Sequence, residues 1–219
     1  ASGFSTNDNV KFNSSGGKDA WPCDKYLNFW ICNFSGSLLG YAQFPGGPCN
    51  TDGVVCLYTS VGRPPDNPFP SVYNFGRTAT HEVGHYFNLH HIWGNTTCGN
   101  DYCNDTPVQE EENYGCPVLP HNANSCGTTN TYGDMFMNHM DYSNDACKLM
   151  FTEDQKTRML DAINIQRPDL LTSNGCSQGG VGGCTNPLAY NYNPAATIND
   201  NSCCFLAGCT DPAAFNYSA

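Results

Sequence analysis

The stretch H-E-V-G-H-Y-F-N-L-H-H, residues 81–91, decides how the rest of the chain is read. On an α-helix His81 and His85 stand one turn apart, about 6 Å along the axis and on one face. Their imidazoles can meet at a single cation. Zinc suits nitrogen ligands and leaves one position open for water. Glu82, beside the first histidine, is placed to take a proton from that water and later deliver it to a leaving amine. A third protein ligand is still needed. His91 lies six residues beyond His85, and an unbroken helix would rotate it by about 600°, away from the shared face. The chain must therefore reverse between them. Position 88 holds Asn, the non-glycine residue most tolerant of left-handed backbone and a common helix-ending residue. His90 is a rival third ligand with poorer spacing. H-E-x-x-H alone also arises by chance on surface helices; His91 and the intervening turn residue are what lift it above that reading. His121 and His139 read as polar-loop residues.

The remaining composition agrees with chemistry outside the cell. Fourteen of the 219 residues are cysteines, with no matched C-x-x-C pairs of the zinc-ribbon kind. Disulfides in an oxidising compartment are the better account, their pairing not deducible from spacing. Net charge is −11, from nine basic and twenty acidic groups, which disfavours a phosphate backbone and so a nucleic-acid partner. The acidic balance serves either solubility or calcium ligation. No run approaches the length of a membrane span. Ala1 reads as a processed or trimmed start, with any targeting segment upstream.

Along the chain, Tyr26–Phe34, Leu38–Phe44 and Val54–Val61 read as strands. Residues 62–70 hold four prolines and must be a loop. A helix is expected from about Gly76 to Asn88. Residues 92–138 read as a long irregular segment held by crosslinks. A final helix should start at Thr152, where T-E-D-Q forms a capping box, with Met159, Leu160 and Ile163 as its apolar face. Ser173–Gly182 reads as a flexible linker. Beyond it, G-C-T-N-P-L-A-Y-N-Y from Gly183 recurs as G-C-T-D-P-A-A-F-N-Y from Gly208.

These motifs together resemble the pappalysin family of metzincin zinc endopeptidases. The zinc stretch is similar to the metzincin signature H-E-x-x-H-x-x-G-x-x-H, with Asn88 in the glycine place. N-H-M-D-Y-S-N-D-A-C, Asn138–Cys147, resembles the family's methionine turn. Further similar stretches run from about residue 15 to 165, among them L-L-G-Y-A-Q-F and C-K-L-M-F-T-E-D-Q. The resemblance implies that Met140 lies beneath the metal and that Tyr142 helps stabilise the oxyanion. It implies that Leu38–Phe44 is a cleft-edge strand to which substrate adds by main-chain pairing. It implies disulfides Cys98–Cys126 and Cys116–Cys147, and calcium nearby, for which Asp101 and Asp105 are the candidates. Cys23, Cys49, Cys56 and Cys103 would add crosslinks the family does not pair. The family's first strands and backing helix precede the residues present here, implying a separate N-terminal chain or propeptide. The tail resembles cysteine-containing GCTDP repeats of secreted proteins. Its N-P-A-A-T-I-N-D-N-S-C stretch is open to calcium binding or to use as a stapled spacer.

The fold class expected is α/β (α+β): a metzincin-like domain over residues 1–172 with a twisted mixed sheet, an active-site helix and a C-terminal helix. A linker over 173–182 and a disulfide-containing repeat tail over 183–219 follow. The function expected is a secreted zinc-dependent endopeptidase using Glu82 and Tyr142, with zinc and calcium as cofactors and peptide or protein substrates. The alternative is an inactive protease-like adhesion or binding module. Asp145, close to the methionine turn, suggests a preference for a basic residue beside the cut.

Overall fold

A computed structural model describes residues 3–127, 130–173, 181–199 and 202–205. The chain divides into two units, residues 1–173 and 174–219.

The first unit is built on a three-stranded mixed sheet. Strands β1 (Phe29–Cys32), β2 (Gly40–Ala42) and β3 (Val54–Leu57) stand in the order β1-β3-β2. β1 runs parallel to β3, pairing Trp30 with Val55, and β2 runs antiparallel to it, pairing Tyr41 with Val55. β2 is thus an edge strand. All three are shorter than the apolar runs that announced them. In the first, the side chain of Asn28 ends the strand by bonding Trp21 N–H (2.7 Å), Trp21 O (3.0 Å) and Asp52 O (3.2 Å).

Alternation along the strands gives the sheet two apolar faces. Trp30, Cys32 and Val55 pack with Val10 and Phe34 on one side, and Val54 and Cys56 pack with Tyr86 on the other. The first side is covered by the N-terminal segment, whose Phe4 bridges to Phe34. Buried Lys11 crosses this layer and donates to Thr51 O at 2.7 Å, with its ammonium against the Trp30 and Tyr41 rings. The second side is covered by helix α1 (Arg77–Tyr86).

The capping box at Thr152 starts helix α2 (Glu153–Asp161) as the sequence requires. α2 then widens into a π turn, Ala162–Gln166. Gln155 and Ala162, with Met159 half-buried between them, form the inward face of α2, while Leu160, expected on the apolar face, lies off it and is exposed. The π turn delivers Arg167 beneath α1. Its guanidinium forms a two-pronged pair with buried Asp52, covers the Tyr86 ring at 3.6 Å and donates to Tyr86 O at 3.1 Å. One side chain thus joins the sheet, α1 and the C-terminal segment.

Between α1 and α2 the described residues contain only isolated bridges and a 3-10 turn, Asp145–Cys147. Disulfides Cys98–Cys126 and Cys116–Cys147 staple this segment, and Cys23–Cys49 ties the segment before β1 to the loop before β3. Cys56 and Cys103, expected to add crosslinks, are instead free and buried, as is Cys32. For Cys56 the reason is pleat geometry: Cys32 and Cys56 belong to opposite faces of the sheet.

In the second unit, β4 (Val181–Gly183) pairs in parallel with β5 (Ala196–Asn199), and Cys184 is joined to Cys203. Asn191 fastens the loop between them by donating to Ser202 O and accepting from Cys204 N–H, each at 2.7 Å. The repeat beginning at Gly208 lies outside the described residues, as do positions 174–180 of the expected linker.

Removing one partner of a buried ion pair leaves the other charge stranded. Arg167→Leu is therefore expected to cost about 3–5 kcal/mol in urea unfolding, and Arg167→Leu with Asp52→Leu should recover part of that. Additive losses in the double variant would show that the two side chains do not act as a pair.

Candidate active site

α1 is held at both ends by groups that aim its histidines. At its start, the Asp145 carboxylate accepts from the Phe75 N–H at 2.9 Å and the Arg77 N–H at 3.1 Å, a use of negative charge that also suits the helix dipole. At its end, Asn88 takes φ of 71°. Asn88 N–H donates to His85 O and Leu89 N–H to Gly84 O, both at 2.9 Å. This is the Schellman closure with asparagine in the left-handed position. Arg158 of α2 clamps the turn by donating to Asn88 O at 2.6 Å. The chain leaves this turn heading back across α1.

The reversal carries His91 to His81 and His85. Their Nε2 atoms lie 3.1 Å (81–85), 3.0 Å (85–91) and 3.2 Å (81–91) apart. His81 Nδ1 is 2.7 Å from His139 O, and His85 Nδ1 is 2.7 Å from Leu89 O. A carbonyl oxygen only accepts, so each Nδ1 carries the proton and each Nε2 turns a lone pair inward. His91 Nδ1 pairs with Asn95 Oδ1 in the same sense, and its ring stacks on Trp93 at 4.4 Å. Burial, followed by the charge of neighbouring histidines, drives His81 far below its ordinary pKa and His85 down to about 3. Neutral imidazoles with converging lone pairs repel one another unless a cation sits among them. Tetrahedral zinc bonds of about 2.0–2.1 Å place nitrogen ligands roughly 3.3 Å apart, close to the observed triangle. Among the described residues, these three form the only cluster of histidine, cysteine or acidic groups with metal-ligand spacing. His90 stays outside it, between the rings of Phe44 and Tyr102.

Glu82 lies under the edge strand. A Cβ on Gly40 would fall 2.8 Å from Glu82 Oε1, so glycine in β2 lets the carboxylate lie against the strand. Burial raises its pKa to about 8, with Lys148 opposing; a divalent ion alongside would pull it down. Met140 is fully buried, and a Cβ on Gly84 would fall 2.5 Å from its sulfur. The bare helix backbone at Gly84 is what seats the methionine beneath the histidines. Tyr142 OH is 3.1 Å from His91 Nε2. Burial lifts its pKa to about 12, so the phenol keeps its proton.

Several supports were not foreseen. Asp141, fully buried, accepts from Gln109 Nε2 (3.0 Å), Asn113 N–H (2.7 Å) and Asn113 Nδ2 (2.9 Å), lashing the irregular segment to the methionine turn. Asn138 and Gln155 exchange amide bonds of 2.8 and 3.1 Å, so the capping residue of α2 also fixes that turn. Trp93 and Asn95 orient His91. Only M-D-Y beside the methionine hinted at any of these. His139, read as a loop residue, is buried, and its carbonyl orients His81.

The two calcium candidates each accept hydrogen bonds from neighbouring residues. Asp101 accepts from Cys103 N–H at 3.1 Å and Thr106 Oγ1 at 3.0 Å, while Asp105 accepts from Asp154 N–H at 3.0 Å. Asp145 holds the start of α1 through Oδ2, while its buried Oδ1 has no partner among the described residues.

Comparison with known proteins follows the same lines. Residues 11–164 match the Peptidase_M43 family model, described as pregnancy-associated plasma protein-A. An extracellular metalloprotease of Sordaria macrospora is 39% identical over 150 residues, 65% of this chain and 50% of that protein. Extracellular metalloprotease 1 of Coccidioides posadasii is 40% identical over 140 residues, 61% of this chain and 48% of that protein. Mature mirolysin of Tannerella forsythia, solved with a cleaved peptide, superposes with a TM-score of 0.71 at 46% identity, covering 78% of this chain and 65% of that one. A promirolysin mutant gives a TM-score of 0.73 at 44% identity, covering 81% and 59%. The chain thus spans about half the length of the curated relatives it matches.

Left-handed backbone costs a β-branched residue about 1–2 kcal/mol, and glycine nothing. Asn88→Gly should leave unfolding and metal affinity unchanged, whereas Asn88→Val should lose about that stability and bind zinc about tenfold more weakly, measured against a chromophoric chelator. Equal affinities in the two variants would mean that the turn does not set the position of His91.

Proposed function

The chain belongs to the pregnancy-associated plasma protein-A family of peptidases, and from that membership we propose that it is a secreted zinc-dependent endopeptidase. The observation that carries the reading is the triangle of inward-facing Nε2 lone pairs on His81, His85 and His91, closed by the turn at Asn88. His81, His85 and His91 would hold a zinc ion, which would supply Lewis acidity towards the scissile carbonyl and a bound water.

The protein's own groups do the rest. Among the described residues no donor holds the Glu82 carboxylate, so it is free to accept the proton of the attacking water and carry it to the leaving amine. Tyr142 keeps its phenolic proton and stands beside His91, where it can donate to oxyanion charge as it develops. β2, paired on one side only, offers its outer edge to the main chain of an extended peptide. Met140 and the hydrogen bonds to each Nδ1 hold the imidazoles in one orientation.

Substrates on this reading are peptides or extended segments of extracellular proteins. Secretion is supported by the extracellular naming of the relatives and by the disulfides; no described helix is long and apolar enough to cross a membrane. Residues 1–172 would form the catalytic unit, 173–182 the linker, and 183–219 a GCTDP-type repeat appendage whose described part is stapled by Cys184–Cys203. A calcium ion near Asp101 and Asp105 is a secondary part of the proposal, resting on the oxygen-rich loop between α1 and α2. The rival reading, an inactive adhesion module, is disfavoured because Glu82 is intact and unencumbered.

Glu82→Gln should retain zinc at one equivalent while kcat/KM on a fluorogenic peptide falls about 10²- to 10⁴-fold. Unchanged cleavage in that variant would defeat the mechanism. Tyr142→Phe should lower kcat about 10²-fold with KM little altered.

A further inference from the structure

α2 carries a row of charges that the fold leaves open. Asp154, Arg158 and Asp161 follow one another at spacings of four and three residues, so their Cβ atoms lie about 5–6 Å apart along one face. That pattern ordinarily closes into ion pairs. Among the described residues neither aspartate pairs with Arg158. The guanidinium is drawn aside instead: its Nε–H donates to Asn88 O at 2.6 Å, and it lies over the Tyr102 ring, 5.3 Å from the centre. Its two Nη groups donate to no described residue, since Nε makes the hydrogen bond of this side chain. Asp161 is exposed and accepts from no described residue. Asp154 spends one oxygen on the Asn104 N–H at 2.8 Å and keeps the other.

These groups line a recess of about 360 Å³ between α2 and the turn at Asn88, with Tyr102 and Ile165 as its apolar walls. Small-molecule sites run from about 300 to 1,000 Å³. Both wall side chains are exposed, an apolar surface that an occupant would cover. Tyr102 is held there in left-handed backbone, φ 64°, a rare conformation for a bulky residue.

The order of charge, negative-positive-negative, selects the occupant. A lone anion would meet Asp154 and Asp161, in a chain whose net charge is −11. A lone cation would meet Arg158. A molecule with one carboxylate and one ammonium satisfies both signs. The paired Nη groups suit the carboxylate, which takes two parallel N–H bonds. The helix sets the length: neighbouring positions are about 5–6 Å apart and an extended residue spans about 3.3–3.6 Å, so two residues fit and one falls short.

We propose that this recess is a binding site for a dipeptide with both ends free, its C-terminal carboxylate on Arg158 and its N-terminal ammonium on Asp161. Its side chains lie against Tyr102 and Ile165. The site is separate from the histidine triangle but mechanically joined to it. A carboxylate on the Nη groups pins the guanidinium whose Nε–H holds Asn88 O, and the turn at Asn88 carries His91. An occupied recess therefore strengthens zinc retention, and by linkage zinc tightens the dipeptide. The site goes beyond the peptidase reading and does not require that the chain hydrolyse anything.

Calorimetric titration of the full zinc-loaded chain with glycyl-leucine is the test. N-acetylglycyl-leucine and glycyl-leucinamide, each lacking one charge, should bind at least about tenfold more weakly. Asp161→Asn and Tyr102→Ala should each weaken glycyl-leucine about tenfold while keeping one equivalent of zinc. Zinc transfer to a chelator should slow at least about fivefold with saturating glycyl-leucine in the wild type and not in Asp161→Asn. Affinity unchanged in either variant places the dipeptide elsewhere, at the zinc ion itself, and overturns the site. Acetate binding as tightly as glycyl-leucine reduces the recess to an anion site and overturns the ligand. No binding at millimolar concentration overturns both. Should one variant fail to fold, the other decides. Neither readout measures cleavage, so hydrolysis is judged separately.

Discussion

Three nitrogen lone pairs pointed at one another are the constraint around which this molecule is arranged. Left to themselves they repel, and a chain would relax by rotating one ring outward. Here each ring is denied that freedom by a bond at its other nitrogen: the carbonyls of His139 and Leu89 and the side chain of Asn95. Two of those three acceptors lie beyond the helix end, on chain that has already reversed. The left-handed residue at position 88 therefore does two jobs. It returns His91 to the helix face, and it presents the Leu89 carbonyl to His85.

The sheet and the disulfide-held segment can be understood as supports for that arrangement. β3 gives α1 an apolar floor through Val54 and Cys56, and the edge strand stands over Glu82 only because Gly40 lacks a side chain. On the other flank, a buried carboxylate at Asp141 gathers Gln109 and Asn113, so a stretch without helix or strand is fixed by polar bonds and crosslinks instead. Such bonds are directional. A fully satisfied buried polar network rigidifies the segment and specifies one arrangement of it.

The local part of this was legible in the sequence. Helical spacing put His81 and His85 on one face, the residue type at position 88 announced the reversal, and T-E-D-Q marked the start of α2. What escaped was long-range. Nothing in single-residue pattern says that Gln109 and Asn113 will meet Asp141, or that Asn138 will pair with Gln155, because such amide contacts have no period and no composition signal. His139 was misjudged for the same reason: its functional atom is a backbone carbonyl, which every residue has. Cys56 and Cys103 looked like crosslinks because cysteine counts carry no information about which face of a sheet a side chain takes. Leu160 was misplaced because the inward face of α2 is set by polar Gln155 and small Ala162, which an apolar pattern does not weigh.

The three sealed thiols have one more consequence. A chain that must oxidise the eight cysteines of its described disulfides while leaving Cys32, Cys56 and Cys103 untouched is exposed to scrambling, since any accessible thiolate attacks a neighbouring disulfide. The hazard disappears once Cys32 and Cys56 are enclosed on their separate sides of the sheet and Cys103 is covered. Correct bonding thus favours a maturation order in which β1 and β3 associate before the staples close, so that the sheet acts as a protecting group for its own sulfur atoms.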